Sequence, residues 1–247
     1  MKIAVAGKGG SGKTTIAGTL ARLLGRRGHD VLALDADTNP MLGVSLGIGP
    51  EETDLLMAVR QGVDAGHIGH EPTLEGMVDT FGRDAPDGVR LVLASRIEKV
   101  DPGCPCCGVS PEQLLRDLEG DNVVIADLEA GVGTLSRMPE NGVDALLVIT
   151  EPTVKSIEVA RVVCALATER HPEVEVLVVA NRVTSDTDRD AIAKGLDRDV
   201  FVVPEDESVA DADRDGAAPV DVDDGSPAVA AVAALADRLD VRSKVSA

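Results

Sequence analysis

The sequence predicts an α/β fold: one doubly wound, mostly parallel sheet of about seven strands with helices on both faces. Three observations carry that reading. Short apolar runs recur from end to end, and they are continuous rather than alternating, which marks strands buried on both faces. Stretches of helical periodicity fall between them. The first run leads directly into a glycine-rich turn and then a helix. In chain order the strand-like runs are residues 3–6, 31–34, 89–93, 123–126, 145–149, 176–180 and 200–203. The helical stretches are residues 13–27, 111–118, 153–170, 188–194 and 226–239. Residues 50–88 show no clear period and read as short helices and loops. No Pro/Gly/Ser tract divides the 247 residues, so residues 1–247 read as a single domain with chain enough for a sizeable core.

Composition narrows the function. There are 43 acidic residues against 24 Lys and Arg, a formal charge of −19, and the only aromatic residues are Phe81 and Phe201. The acids are interleaved with Val, Ala and Leu. They therefore read as the coat of a folded protein, suited to a salt-rich cytoplasm, rather than as an interaction tail. Residues 186–224 carry 14 acids and 4 bases around the run at 200–203, which makes them a solvated acidic face. Nucleic acid and anionic membrane are not expected partners, because phosphate contacts need clustered Lys and Arg and RNA stacking needs aromatics. The apolar runs fall far short of the roughly 20 residues of a membrane span, and the N-terminus has no signal-peptide core, so a cytoplasmic location is expected.

Gly7-Lys8-Gly9-Gly10-Ser11-Gly12-Lys13-Thr14 matches Gly-x-x-x-x-Gly-Lys-Ser/Thr between a strand and a helix, the context that the phosphate-binding loop requires. The glycines let the backbone curl so that successive N–H groups face phosphate oxygens, and the helix start at Lys13-Thr14-Thr15 adds its positive dipole end. Lys13 is placed to reach the β- and γ-phosphates and the Thr14 hydroxyl to ligate Mg. The expected fold is thus a P-loop NTPase.

Carboxylates follow two later strands. Asp35-Ala36-Asp37 ends the second, and Asp127-Leu128-Glu129-Ala130-Gly131 ends the fourth. Ligands of open α/β sheets bind beyond the carboxyl ends of strands, so these acids face the same nucleotide. Asp127 reads as the acid that holds Mg through water, and the set suits phosphoryl transfer to water by positioning and charge neutralisation.

The loop carries a second lysine, Lys8. Lys-Gly-Gly-x-Gly-Lys-Thr-Thr resembles the deviant Walker A motif of the MinD/ParA/nitrogenase-iron-protein class of ATPases. The resemblance implies ATP or ADP with Mg, slow hydrolysis and a homodimer that sandwiches nucleotide, with Lys8 crossing to the partner's phosphates. It implies that Asp37 positions the attacking water and joins Thr14 and Asp127 about the Mg, that Asp35 is structural, and that Gly131 offers its N–H to the γ-phosphate. It also implies that Asn181 reads adenine, with Pro204, Glu205 and Asp206 in a second base-contacting loop.

Three of the four cysteines lie together in Gly103-Cys104-Pro105-Cys106-Cys107-Gly108. Cys-x-Cys supplies two thiolates, half a tetrahedral shell; a two-fold axis would complete a four-thiolate site from Cys104 and Cys106 of both chains, selective for Zn or Ni. Cys107 is a further thiol whose part is open. With Asp-x-Glu-Ala-Gly at 127–131 and Glu151-Pro-Thr-Val-Lys-Ser-Ile157, the chain is similar to the CooC-type accessory ATPases that mature the nickel site of carbon monoxide dehydrogenase. That resemblance implies a metalloenzyme client. The switch continues Gly131-Val-Gly-Thr134 where CooC-type sequences have Gly-x-Glu-His, and Thr134 and its neighbours supply no cysteine shortly after it, as a bridging four-iron cluster would need. Cys164 lies in a helical apolar stripe and reads as core. His67 and His70 read as surface residues rather than ligands. A MinD/ParA-type positioning or partitioning ATPase and a regulatory nucleotide-binding protein are the alternatives. The first would need a basic face or an amphipathic anchor, and residues 232–245 have three basic residues and no aromatic.

Overall fold

The computed structural model describes residues 1–64, 74–93, 122–129, 133 and 142–243. Among them the sheet has eight strands: β1 (Lys2–Gly7), β2 (Val31–Ala36), β3 (Gly82–Asp84), β4 (Val89–Leu93), β5 (Val123–Leu128), β6 (Ala145–Thr150), β7 (Glu175–Val183) and β8 (Val200–Pro204). The order is β3-β4-β2-β5-β1-β6-β7-β8. Every pairing is parallel except β3 with β4. Each of the seven apolar runs is a strand. The additional strand, β3, is three residues long and antiparallel, with no buried residue, so its composition carries no strand signal.

Residues of β2, β5 and β6 are buried without exception, as continuous hydrophobicity requires of strands covered on both faces. Alternate side chains feed two cores. Ile3, Val5, Ala33 and Ile125 pack with Ile16, Leu20 and Leu24 of α1 (Lys13–Arg26) and Val232, Leu235 and Leu239 of α9 (Pro227–Ser243). Ala4, Ala6, Leu34 and Ala126 pack with Ala160, Val163, Cys164 and Ala167 of α5 (Val154–Arg170) and Ile192 and Leu196 of α6 (Asp186–Leu196). Cys164 is thus a core residue, 4% exposed.

The stretch expected to hold short helices and loops is more regular than its sequence suggests. It contains α3 (Gly49–Asp64), a helix of 16 residues, and α4 (Leu74–Phe81), ahead of β3 and a 3-10 turn at Pro86–Gly88. The remaining helices among the described residues are α2 (Leu42–Leu46), α7 (Glu207–Asp215) and α8 (Pro219–Val222). The helix expected at 111–118, the cysteines Cys104, Cys106 and Cys107, Gly131, and the pair His67 and His70 lie outside the described residues. Among the described residues, no helix is long and apolar enough to cross a membrane.

Candidate functional site

The chain switches sides of the sheet at β1, with β5 on one flank and β6 on the other. The crevice beyond the carboxyl ends of these strands is where open α/β sheets take ligands. The 7–14 loop closes over it. Gly7, φ 150°, passes so near β6 that a Cβ there would run into the Ile149 carbonyl. Gly12 is the left-handed N-cap of α1 at φ 92°, and a Cβ there would strike the Asn181 amide. Lys13, the first residue of α1, is 6% exposed. The Lys8 ammonium donates to the Gly9 carbonyl at 3.2 Å.

Strand register places the acids. Asp35 of β2 lies directly opposite Asp127 of β5, so two buried carboxylates sit side by side. The Thr14 hydroxyl donates to Asp127 Oδ2 at 2.5 Å, which brings α1 and β5 together under the loop. Asp127 Oδ1 is buried and has no hydrogen-bond partner among the described residues, and neither does Ser11 Oγ within the loop. Burial pushes the Asp127 carboxyl up to about 6; the Thr14 hydrogen bond and Lys13 oppose the rise, and Asp37 adds to it. Asp35, fully buried, is raised well above the usual range by burial and then by the Asp127 charge. The backbone N–H groups of Leu42, at 2.8 Å, and Asp37, at 3.2 Å, donate to it and oppose the rise. Asp35 therefore holds the turn into α2. Asp37 lies two residues on, its Oδ1 accepting from the Asn39 N–H at 2.9 Å. The Thr38 hydroxyl donates to Glu129 at 3.4 Å, linking the turns after β2 and β5.

Beside the loop is a cavity of about 240 Å3, lined by Gly12, Thr15, Asn181, Pro204, Glu205 and Val232 among others. Asp206 shapes it. Its carboxylate caps α7, accepting from the Ser208 N–H at 3.0 Å, and also accepts from the Ala228 N–H at the start of α9 at 2.9 Å. Glu205 is held by its own N–H, which donates to the Val183 carbonyl at 3.1 Å. Asn181 does more than line the cavity: its Nδ2 donates to the Ser11 carbonyl at 2.8 Å, fastening β7 to the loop.

One residue at this site escaped the sequence reading. Arg182 donates to the Gly10 carbonyl at 3.2 Å and pairs with Glu151 at 2.5 Å. Glu151 lies in a motif that drew notice, but nothing local ties it to Arg182, 31 positions later. Asp206, expected in the base-contacting loop at 204–206, also caps α7, a role that the serine two residues after it signals.

Among the described residues, no three His, Cys, Asp or Glu side chains gather to hold a metal. What the site offers a divalent cation is one hydroxyl, one carboxylate with an unpartnered oxygen, and space for phosphate. That donor set fits Mg, which keeps several waters and binds through few protein ligands.

Residues 2–220 match the CobQ/CobB/MinD/ParA nucleotide binding domain. An uncharacterised ATP-binding protein of Methanocaldococcus jannaschii is 34% identical over 225 residues, 85% of this chain and 87% of that protein. The carbon monoxide dehydrogenase accessory protein CooC of Rhodospirillum rubrum is 30% identical, with the whole of both chains covered. In structure, the septum site-determining protein MinD of Pyrococcus horikoshii, complexed with Mg-ADP, superposes with a TM-score of 0.75 at 23% identity, covering 100% of this chain and 98% of that one. With a phosphate loop at the switch point of a parallel sheet and a domain match over most of its length, the chain belongs to the MinD/ParA-type family of P-loop nucleotide-binding ATPases.

Proposed function

We propose that this chain binds ATP with Mg, hydrolyses it slowly, and acts as a nucleotide-sandwich homodimer in the maturation of a metalloenzyme. The observation that carries the nucleotide reading is the meeting of Thr14 and Asp127 at 2.5 Å beneath the glycine loop, with Asp127 Oδ1 buried and unpartnered. A buried acceptor without a partner is costly, and a cation at that point relieves it. The 240 Å3 cavity takes the base and sugar, with Asn181, Pro204 and Glu205 at its wall. The backbone N–H groups between Gly9 and Thr15, apart from that of Ser11, cradle the phosphates, and the Lys13 ammonium neutralises their charge. Thr14 and Asp127 hold the Mg, with Asp37 close by; the ion supplies charge neutralisation at the transferring phosphoryl group. Asp37 orients the attacking water, and Gly131 donates to the γ-phosphate. Lys8 reaches the partner's nucleotide.

The metalloenzyme role rests on the full-length likeness to CooC together with Cys104 and Cys106. Two thiolates from each chain would hold one Zn or Ni between subunits, so the metal ties the chains together.

The test is turnover. Lys13→Ala should lower Mg-dependent ATP hydrolysis by about 100-fold or more, the scale of losing a principal charge-stabilising group. Asp37→Ala should bind ATP without cleaving it. Undiminished hydrolysis in Lys13→Ala overturns the nucleotide reading. Metal analysis of the purified dimer should give one metal per two chains, lost in Cys104→Ser; one metal per chain that survives that change overturns the cysteine site.

A further inference from the structure

We propose that Arg182, clamped by Glu151, is a positioning residue that sets the glycine loop in its phosphate-accepting form, a role that rests on reading the loop as the ATP site. Two consecutive loop carbonyls are taken by two consecutive residues of β7. The Ser11 carbonyl accepts from Asn181 Nδ2 at 2.8 Å, and the Gly10 carbonyl accepts from Arg182 Nη1 at 3.2 Å. A trans peptide is planar, so fixing a carbonyl aims the following N–H the opposite way. The Gly10–Ser11 peptide, held by Arg182, sends its N–H to the Lys8 carbonyl at 3.2 Å and closes the turn that carries Lys8. The Ser11–Gly12 peptide, held by Asn181, turns its N–H away from β7. Arg182 therefore governs the outer half of the loop and Asn181 the inner half.

Arg182 is itself held. Its Nη1 lies 2.5 Å from Glu151 Oε1, and the Glu151 carboxylate is 15% exposed. The Glu151 N–H donates to Ser156 Oγ at 3.0 Å, in the first turn of α5, and Thr153 caps that turn. A continuous chain of contacts thus runs from α5 through Glu151 and Arg182 to Gly10.

Stability alone does not account for the arrangement. Arg182 has φ 56°, a left-handed conformation that side chains other than glycine rarely adopt, and the β7–β8 register shifts between Ala180 and Val183. The guanidinium is 52% exposed, so its ion pair is worth little to the fold. Backbone strain that the fold does not recover is what a constraint on function leaves behind.

Nucleotide affinity and nucleotide-free melting, measured on the same variants, test the clamp. Arg182→Gly removes the guanidinium and the backbone strain together. Its nucleotide-free Tm should equal or exceed that of the unaltered protein, while affinity for Mg-ADP and Mg-ATP falls about tenfold, the size of one or two lost hydrogen bonds. KM for ATP should rise with kcat within about twofold. Arg182→Lys, which keeps a cation on a different reach, should recover part of the loss. Glu151→Gln should lose a few-fold, and adding it to Arg182→Gly should cost nothing more, because Glu151 acts through Arg182. Affinity within twofold of the unaltered protein in Arg182→Gly, or an additive loss in the double variant, overturns the clamp. If the unaltered protein binds ATP and loses it in Lys13→Ala while Arg182→Gly binds normally, the clamp fails and the ATP reading stands. If the unaltered protein binds neither nucleotide, both fall.

Discussion

At the residue scale the site is governed by two carboxylates that burial keeps from ionising freely. Asp127 is held at about 6 by burial, and Asp35 is raised by burial and by its neighbour. A carboxyl whose folded value lies above its unfolded one binds its proton more tightly when folded. Its stabilising effect is present below the ordinary aspartate value of about 3.9 and is lost as pH rises through the folded value. The nucleotide-free protein should therefore lose stability as pH climbs through about 6. A divalent cation beside Asp127 reverses that cost, because it favours the charged form. The rise in Tm produced by Mg with ADP should be larger at pH 7.5 than at pH 5.5, with the difference abolished in Asp127→Asn. A Mg-dependent rise that is the same at both pH values contradicts the placement of the cation at Asp127. The gathering of Lys13, Thr14, Asp127 and Asn181 about one crevice was legible from the sequence, because each stands at a strand end or a helix start. Arg182 was not. What marks it is a backbone angle and a contact with Gly10, 172 positions away.

Elements are held around the site by two polar hubs. Asp206 joins α7 and α9: burial opposes its charge, but the Ala228 N–H and the Ser208 hydroxyl and N–H hold the carboxyl below the usual range. Asp206→Ala should cost about 1–2 kcal/mol in denaturant unfolding, the size of a lost N-cap with a second helix start released. Since the folded value is depressed, that contribution is complete above the ordinary aspartate range and is lost as pH falls through the folded value. Asp206→Ala should therefore approach the unaltered protein in stability toward acid pH. A constant gap down to the lowest pH at which both still fold would show that the carboxylate's charge is not what binds the helices. The second hub is Arg22 of α1, 3% exposed, which grips Asp221 of α8 bidentately at 2.7 and 2.9 Å, pairs with Asp87 and donates to the Leu46 carbonyl. Arg22→Met keeps the volume but strands the Leu46 carbonyl and leaves Asp87 and Asp221 to Arg26 alone. Discounted because the two carboxylates can reach water, the loss should be about 2 kcal/mol, checked by urea unfolding. Seven strands were readable because parallel strands covered on both faces need unbroken apolar runs. Neither hub was, since each joins acids from the 186–224 face, read as solvated, to groups distant in sequence. The length of α3 was missed because Gly49 and Pro50 open it with loop-like residues, which suit a helix start equally well.

At the scale of the whole molecule the dominant fact is a net charge of −19. Bringing two such chains face to face adds bound nucleotide, itself anionic, to an already repulsive encounter. The attractive contacts of the proposed dimer, Lys8 to phosphate above all, are short and become buried as the faces meet, so salt screens them weakly. The repulsion acts between exposed carboxylates through solvent. The screening length falls from about 10 Å at 0.1 M salt to about 3 Å at 1 M, so salt removes most of it. The two effects have opposite signs, and the long-range one is the larger because it sums over both surfaces. ATP-promoted dimerisation of Asp37→Ala, which retains its nucleotide, should therefore tighten several-fold on going from about 0.1 M to about 1 M KCl. Most ionic protein interfaces loosen under that change. Lys8→Ala in the same background should weaken the dimer at both salt concentrations and leave the direction of the salt effect unchanged. Sedimentation across a KCl series decides. A dimer that loosens steadily with salt would mean that exposed ion pairs, and not buried contacts against a repulsive background, hold the two chains together.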